Sequence, residues 1–257
     1  MIHARHSGKF FLHVTAHPQY GLPYGQDRLI PIWVATLCLQ QKSRTIHFES
    51  AARMLDLFHL PKDGPHYRRL VQGFQRIFAA TIFFETDATP DGAKLIDFSR
   101  FHFFDRMRLW FTSDSGARDS TPENHENTIT LSEAFYQEID QHRIPVEREA
   151  VACFAHAPGT LDFYVWLVWK SWTLKDSYTR IPLFGPQGLS HQLGSTEYSA
   201  DRFFRRKLQH WLRQVKVVWP ECPAFLPDDG QALVVRRSKS SPAIHPATTP
   251  KPGFPAV

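Results

Sequence analysis

The chain has 257 residues, with Lys plus Arg at 30 against Asp plus Glu at 25 and a sequence pI of about 9.2. It is long enough to bury a core as one large or two small domains. Cys38, Cys153 and Cys222 lie far apart without a CxxC or Cys/His ligand spacing, which argues against a disulfide framework or zinc module and for reduced, cytoplasmic thiols. With no leader-like start and no stretch near the ~18 apolar residues of a membrane span, a soluble cytoplasmic protein without a membrane partner is expected.

In chain order, residues 1–24 read as an extension holding one short strand, "KFFLHV", and a Pro/Gly loop, "HPQYGLPYG". "RLIPIWVATLCLQQ" follows as a helix that tolerates Pro31 in its first turn. "RTIHF" is a short strand, and "AARMLDLF" a short helix with Ser50 at its start. "DGPHYRRLVQGFQRIFAA" is a third helix: Leu70, Val71, Phe74, Ile77 and Phe78 recur at helical spacing, leaving Arg68, Arg69, Gln72 and Arg76 on the outward side. "TIFFET" and "KLIDFSRFHFFDRMRLWF" read as the strand pair after it, with Phe101 and Phe103 inward and Arg106 and Arg108 outward. The polar run from Ser113 to Thr128 is the best linker candidate.

Beyond it, "LSEAFYQEI" and "IPVEREAVACFAH" carry helix N-terminal signals. "TLDFYVWLVWKSWTL" is an amphipathic helix built on Leu161, Tyr164, Val165, Val168, Trp169 and Trp172. "RIPLF" is extended, "PQGLSHQLG" is a short helix, and "SADRFFRRKLQHWLRQV" is a long basic helix with Ser199 as its cap. "KVVWP" and "QALVVRR" read as two strands joined by "PDDG", and the Pro-, Ser- and Lys-rich end from 238 to 257 as a disordered tail.

The two basic helices align at an offset of 137. Tyr67 matches Phe204, Arg68 and Arg69 match Arg205 and Arg206, and Gln72 matches Gln209. Phe74 matches Trp211, and Arg76 matches Arg213. Their neighbours share one order: helix, strand, helix, basic helix, strand pair. A repeated supersecondary unit explains this better than chance matching of two buried stripes, because the outward Arg-Arg and Gln also recur. The order is that of a winged helix, in which the third helix enters the major groove. The expected fold is therefore α+β, mostly α, with tandem winged-helix domains at 25–113 and 128–237 joined by a linker at 114–127.

The second basic helix carries Arg202, Arg205, Arg206, Lys207, Arg213 and Lys216 against one acid, Asp201, so it lacks the alternating charge of a merely solvated face. Arginine pairs bidentately with guanine and with phosphate, and glutamine with adenine. The expected DNA-binding set is Arg68, Arg69, Gln72, Arg76, Arg106, Arg108, Arg202, Arg205, Arg206, Lys207, Gln209, Arg213 and Lys216, favoured over plain solvation. His102 could belong to a metal or stacking site, but packing of the aromatics is the favoured reading. The histidines show no HxH or HExxH, and phosphate-loop, dinucleotide and GxSxG motifs are absent. No enzyme, metal or cofactor is expected.

"YGLPYGQDRLIPIW", "DGPHYRRLVQGFQRIFAATIFF", "IPLFGPQGLSHQLG" and "FFRRKLQHWLRQVK", in this order, resemble the plasmid-encoded RepA family of replication initiator proteins. The resemblance implies a protein that binds double-stranded repeats at a plasmid origin, helps open it, and recruits host replication proteins such as the helicase. It also implies homodimers able to repress their own promoter. A winged-helix transcriptional regulator with no replication role is the alternative, and an enzyme whose site is not visible in the sequence is a third.

Overall fold

The computed structural model describes residues 2–7, 10–88, 95–110, 126–185, 187–194 and 201–238. It divides into two compact units, Met1–Arg143 and Ile144–Val257.

The first unit opens with strands β1 (Ile2–Ser7) and β2 (Phe10–Thr15), then a 3-10 turn (Gly25–Arg28) that runs into helix α1 (Leu29–Gln41). Strand β3 (Thr45–Phe48) and the short helix α2 (Ala52–Leu57) follow. Helix α3 (Gly64–Ala79) starts at Asp63, whose carboxylate accepts from the His66 backbone N–H at 2.9 Å, with Pro65 in the first turn. That backbone hydrogen bond is the main reason the Asp63 carboxyl is held below its usual range. Strands β4 (Thr81–Ala88), β5 (Leu95–Phe101), β6 (Phe104–Arg108) and β7 (Asn127–Leu131) come next, and helix α4 (Glu133–Gln141) closes the unit. Leu29, Val34, Ile46, Phe74, Ile129 and Leu131 are fully buried in it.

Two sheets divide these strands. One is antiparallel in the order β1-β2-β4-β5, and the other runs β3-β7-β6. This corrects two expectations. The strand pair right after the basic helix, β4 and β5, joins β1 and β2; β3 pairs instead with β7, and β7 with β6. An alternating strand shows which side chains are inward but not which strand it will meet. The stretch expected to be a linker at 114–127 connects β6 to β7, which are antiparallel neighbours, so it joins two strands of one sheet and not two domains. Its last residue, Asn127, is buried. Its side chain accepts from the Trp110 N–H at 2.7 Å and donates to the Glu49 carbonyl at 2.7 Å, tying β7 to chain on both sides. The unit boundary falls after Arg143.

The second unit holds α5 (Arg148–Cys153), α6 (Pro158–Thr173), β8 (Tyr178–Pro182), α7 (Leu189–Gln192), α8 (Asp201–Val218), β9 (Ala224–Phe225) and β10 (Ala232–Arg236). Its sheet order, β8-β10-β9, repeats that of β3-β7-β6: the strand before the helix pair is hydrogen-bonded to the last strand. "KVV" does not begin a strand, because α8 continues through Val218. Phe204, Leu208, Trp211, Leu212, Val215 and Val218 form one continuous buried stripe, and that period overrides the β preference of valine. In α6 the expected inward Trp169 is 40% exposed, while Phe163 and Leu167 are buried. The Ser199 cap, most of 114–127 and the 239–257 part of the tail lie outside the described residues.

Helices α6 and α8 pack closely where α6 carries a glycine. A Cβ on Gly159 would stand 2.7 Å from Cζ2 of Trp211, whose ring is buried and stacked on Phe163 with centroids 6.1 Å apart. Overpacking of this kind costs about 1–3 kcal/mol, against a helix-propensity gain of about 1 kcal/mol for Gly→Ala. Gly159→Ala is expected to lower the urea midpoint of the protein; a raised midpoint would show that the ring moves aside at no cost.

Candidate nucleic-acid interface

Helix α8 turns its apolar stripe inward and a basic stripe outward. Arg202, Arg206, Gln209, Arg213 and Lys216 alternate four and three residues apart, the spacing that places side chains in one row along a helix. All are exposed, and Lys207 is exposed on an adjoining face. Among the described residues none of these cations has an acidic partner. Arg202 lies over the Phe203 ring with its guanidinium carbon 5.0 Å from the centroid, and Arg213 donates from Nε to the Gln209 carbonyl at 3.4 Å. A row of unneutralised cations with a glutamine at its centre suits a polyanion with readable edges.

Arg205 differs from its neighbours. It is half-buried, its guanidinium carbon lies 5.5 Å from the Phe184 ring centroid, and its Nε is buried without a hydrogen-bond partner. The turn between β9 and β10 covers it: a Cβ on Gly230, which has φ +58°, would meet the Arg205 stem at 3.6 Å. Arg205 thus joins the helix to the hairpin and stands at the edge of the exposed row. The tip of that hairpin is acidic. Asp229 pairs with Arg180 and accepts from the Gln231 N–H at 3.0 Å, and Asp228 is exposed beside it.

On α3, Arg68, Arg69 and Gln72 are exposed as expected, but Arg76 is not. It is 6% exposed, donating from Nε to Asp27 Oδ2 at 2.6 Å and from Nη2 to Asp27 Oδ1 at 2.9 Å. Asp27, 5% exposed, also accepts from the Tyr24 N–H at 2.9 Å, and the Tyr24 ring lies 4.4 Å from the Arg76 guanidinium carbon. The bidentate bond to Asp27 is the main cause that raises the Arg76 pKa further. Arg76 is therefore a structural cation and is withdrawn from the nucleic-acid face. Gly73 makes the contact possible, since a Cβ there would stand 2.7 Å from Asp27 Oδ1.

Arg106 and Arg108 are exposed on β6, the edge of the β3-β7-β6 sheet. Phe101 and Phe103 stack edge-to-face on Phe135 of α4, with centroids 5.8 and 5.0 Å apart, so the aromatics pack as expected. His102 Nε2 pairs with Asp105 at 2.7 Å, as His47 does with Glu126 and His66 with Asp63. Among the described residues no group of three or more His, Cys, Asp or Glu is placed to hold a metal ion, and no helix is long and apolar enough to cross a membrane.

Residues 68–181, from the first exposed arginine of α3 to β8, match the RepA_C family, described as plasmid encoded RepA protein. Over that region the chain is similar to the plasmid RepA family. The RepA match stops before α8, so the basic row of that helix rests on its own geometry. Two solved structures share the fold of nearly the whole chain. A crystal structure of RctB domains 2-3 (RctB-155-483) matches with a TM-score of 0.58 at 11% identity, covering 93% of this chain and 91% of that one. A selenomethionine structure of domain 2 and domain 3 of RctB matches with a TM-score of 0.59 at 12% identity, covering 91% and 89%. No curated protein matches the chain.

Asp27 and Tyr24 are the residues that helical spacing missed, because they lie in a short 3-10 turn and the Pro/Gly loop that leads into it. Gly73 was the available signal: a glycine inside a helix costs about 1 kcal/mol relative to alanine and marks a close approach. Removing one partner of a buried ion pair costs about 3–5 kcal/mol, whereas replacing both by apolar residues is often nearly neutral. Asp27→Ala should therefore unfold at clearly lower urea than the wild type, and the double variant Asp27→Leu/Arg76→Met should recover most of the loss. Equal instability of the single and double variants would show that the pair is not the source.

Proposed function

We propose that this chain is a plasmid replication initiator of the RepA kind whose two units are winged helices and whose α8 reads duplex DNA. The observation that carries the reading is the row Arg202, Arg206, Gln209, Arg213 and Lys216, exposed, unneutralised among the described residues and standing on the helix that follows the α6-β8-α7 unit. The sheet orders β3-β7-β6 and β8-β10-β9 support two winged helices, with β4 and β5 an addition between the third helix and the hairpin of the first. In this reading Gln209, Arg206 and Arg213 face base edges, while Arg202, Lys216 and Lys207 meet phosphates. Arg68, Arg69 and Gln72 give α3 a smaller face of the same kind, and Arg106 and Arg108 contact phosphate from β6.

The DNA is a set of repeats at the plasmid origin, and the bound protein recruits host replication proteins, the helicase among them. It acts as a homodimer where it represses its own promoter. It needs no cofactor and acts by binding rather than by catalysis. The acidic turn of the second unit keeps that hairpin off the phosphate backbone, so its affinity comes from the helix.

Each phosphate contact removed lowers the dependence of log K on log salt by about 0.9. Arg202→Ala and Lys216→Ala should each weaken binding to repeats flanking the coding region and flatten the salt dependence by about that amount. Arg76→Lys should leave the slope unchanged, because Arg76 is buried. Maintenance decides between initiator and regulator: a plasmid carrying the origin should be lost from cells that lack the protein. A plasmid kept at normal copy number without it would leave only the regulator.

A further inference from the structure

Tyr24 is 64% exposed, yet its position is fixed from several sides. Its N–H is held by Asp27 at 2.9 Å, and its ring lies 4.4 Å from the Arg76 guanidinium carbon. That guanidinium is locked in turn by two hydrogen bonds to Asp27. The chain around the ring is built for this bend: Gly21 at φ +78° and Gly25 at φ +55° occupy the left-handed region, and Pro23 restricts the backbone between them. An aromatic side chain held this way loses little freedom on binding a ligand, which is the economy of a preorganised contact.

The location gives the ligand class. Arg76 lies one turn beyond Gln72 and two turns beyond Arg69 on the same flank of α3, so Tyr24 stands at the end of the exposed row formed by those two side chains. Seven residues of helix rise about 10 Å, and nucleotides along one strand rise about 3.4 Å each. One duplex can therefore meet Arg69, Gln72 and the Tyr24 ring together. The Asp27–Arg76 pair beneath the ring is neutral as a unit, so Tyr24 adds apolar contact and a phenolic hydroxyl but no long-range attraction.

We propose that Tyr24 is a nucleic-acid contact of the first unit, packing its free face on the sugar or base edge of duplex DNA that lies along α3. Asp27 and Arg76 are its positioning residues. This rests on the DNA-binding reading given above and adds to it a residue outside the basic helices and outside the family match. It also gives the buried Arg76 a role other than touching phosphate.

The test uses the full chain and fluorescence anisotropy with a labelled duplex carrying the repeats that flank the coding region, and with its single strand. Truncating an aromatic that stacks on an unpaired base costs about a factor of five to a hundred and fifty, and packing on the sugar or base edge of a duplex belongs at the low end of that range. Tyr24→Ala should weaken duplex binding about tenfold with an unchanged salt slope, whereas Arg69→Ala should flatten the slope. Tyr24→Phe should keep most of the affinity. Tyr24→Leu, which still covers Arg76, should lose affinity while melting close to the wild type, separating contact from folding. Wild-type duplex affinity in both Tyr24→Ala and Tyr24→Leu overturns the proposal. So does a loss seen only with the single strand, which would place the ring on unpaired bases. If the wild-type chain binds no DNA, the functional reading itself fails, and that result is distinct from a silent Tyr24.

Discussion

The buried pair of Asp27 and Arg76 sets the architecture of the first unit. Both side chains are almost fully removed from water, at 6% and 7% exposed, and burial on that scale is tolerable only when the hydrogen-bonding groups are met. The arrangement meets them: Asp27 accepts from Arg76 at both oxygens and from the Tyr24 N–H, and the Tyr24 ring covers the guanidinium face. The 3-10 turn is thereby fastened to the side of α3, and α1 continues directly from that turn. A substitution that adds one carbon at Gly73 would collide with the carboxylate. The helix and the turn are thus specified together, by an acid, a cation and a missing side chain far apart in sequence.

The same pair explains part of the difference in exposed charge between two helices of similar sequence. At the aligned positions Phe74 and Trp211 are both buried and Gln72 and Gln209 both exposed, so the helices share their orientation. Arg76 and Arg213 do not share a fate, because the turn that holds Asp27 covers the flank of α3 that α8 leaves open. At the other end of the motif Arg68 is free in water, while its counterpart Arg205 is half-buried against Phe184 and the β9–β10 turn. The shared Arg-x-x-Gln-x-x-x-Arg pattern therefore keeps both cations exposed on α8 and only one on α3, where Pro65 and Ala79 also stand at the positions of Arg202 and Lys216. Charge counted along a helix is an upper bound on charge available to a partner, and the neighbouring elements decide how much remains.

What the sequence made legible follows from the range of each signal. Helices α1, α3, α6 and α8 were readable because a buried stripe repeats every turn, and the same stripe would have carried α8 to Val218 had valine not suggested a strand. The repeated helix-strand-helix-helix order was also readable, since it is a local property. Strand partners were not. Nothing in "TIFFET" distinguishes pairing with β2 from pairing with β3, and nothing in the polar run before Asn127 reveals that it joins two strands. Strand β1, "IHARHS", has little apolar alternation and gave no signal at all. In the candidate interface the exposed cations of α8 were legible as a periodic set, while Arg76 was misassigned. Its partner lies 49 residues away in a 3-10 turn, too short for helical spacing to register.

The charge around α8 is unevenly divided between the helix and the hairpin beside it. A basic helix flanked by a basic hairpin would bind any polyanion, since phosphate contacts are indifferent to sequence. Here the hairpin turn presents Asp228 and Asp229, and Arg180 is drawn to Asp229 rather than left free. The acidic tip limits how a phosphate backbone can approach and leaves the outward row of α8 as the favourable surface. On the proposed function, attraction confined to one helix face, with Gln209 between Arg206 and Arg213, would make affinity depend on what that face meets in the groove. On the proposed DNA-binding function, a short acidic turn beside a cationic helix would act as a device for selectivity, since it gives up nonspecific attraction beside side chains of the kind that distinguish bases.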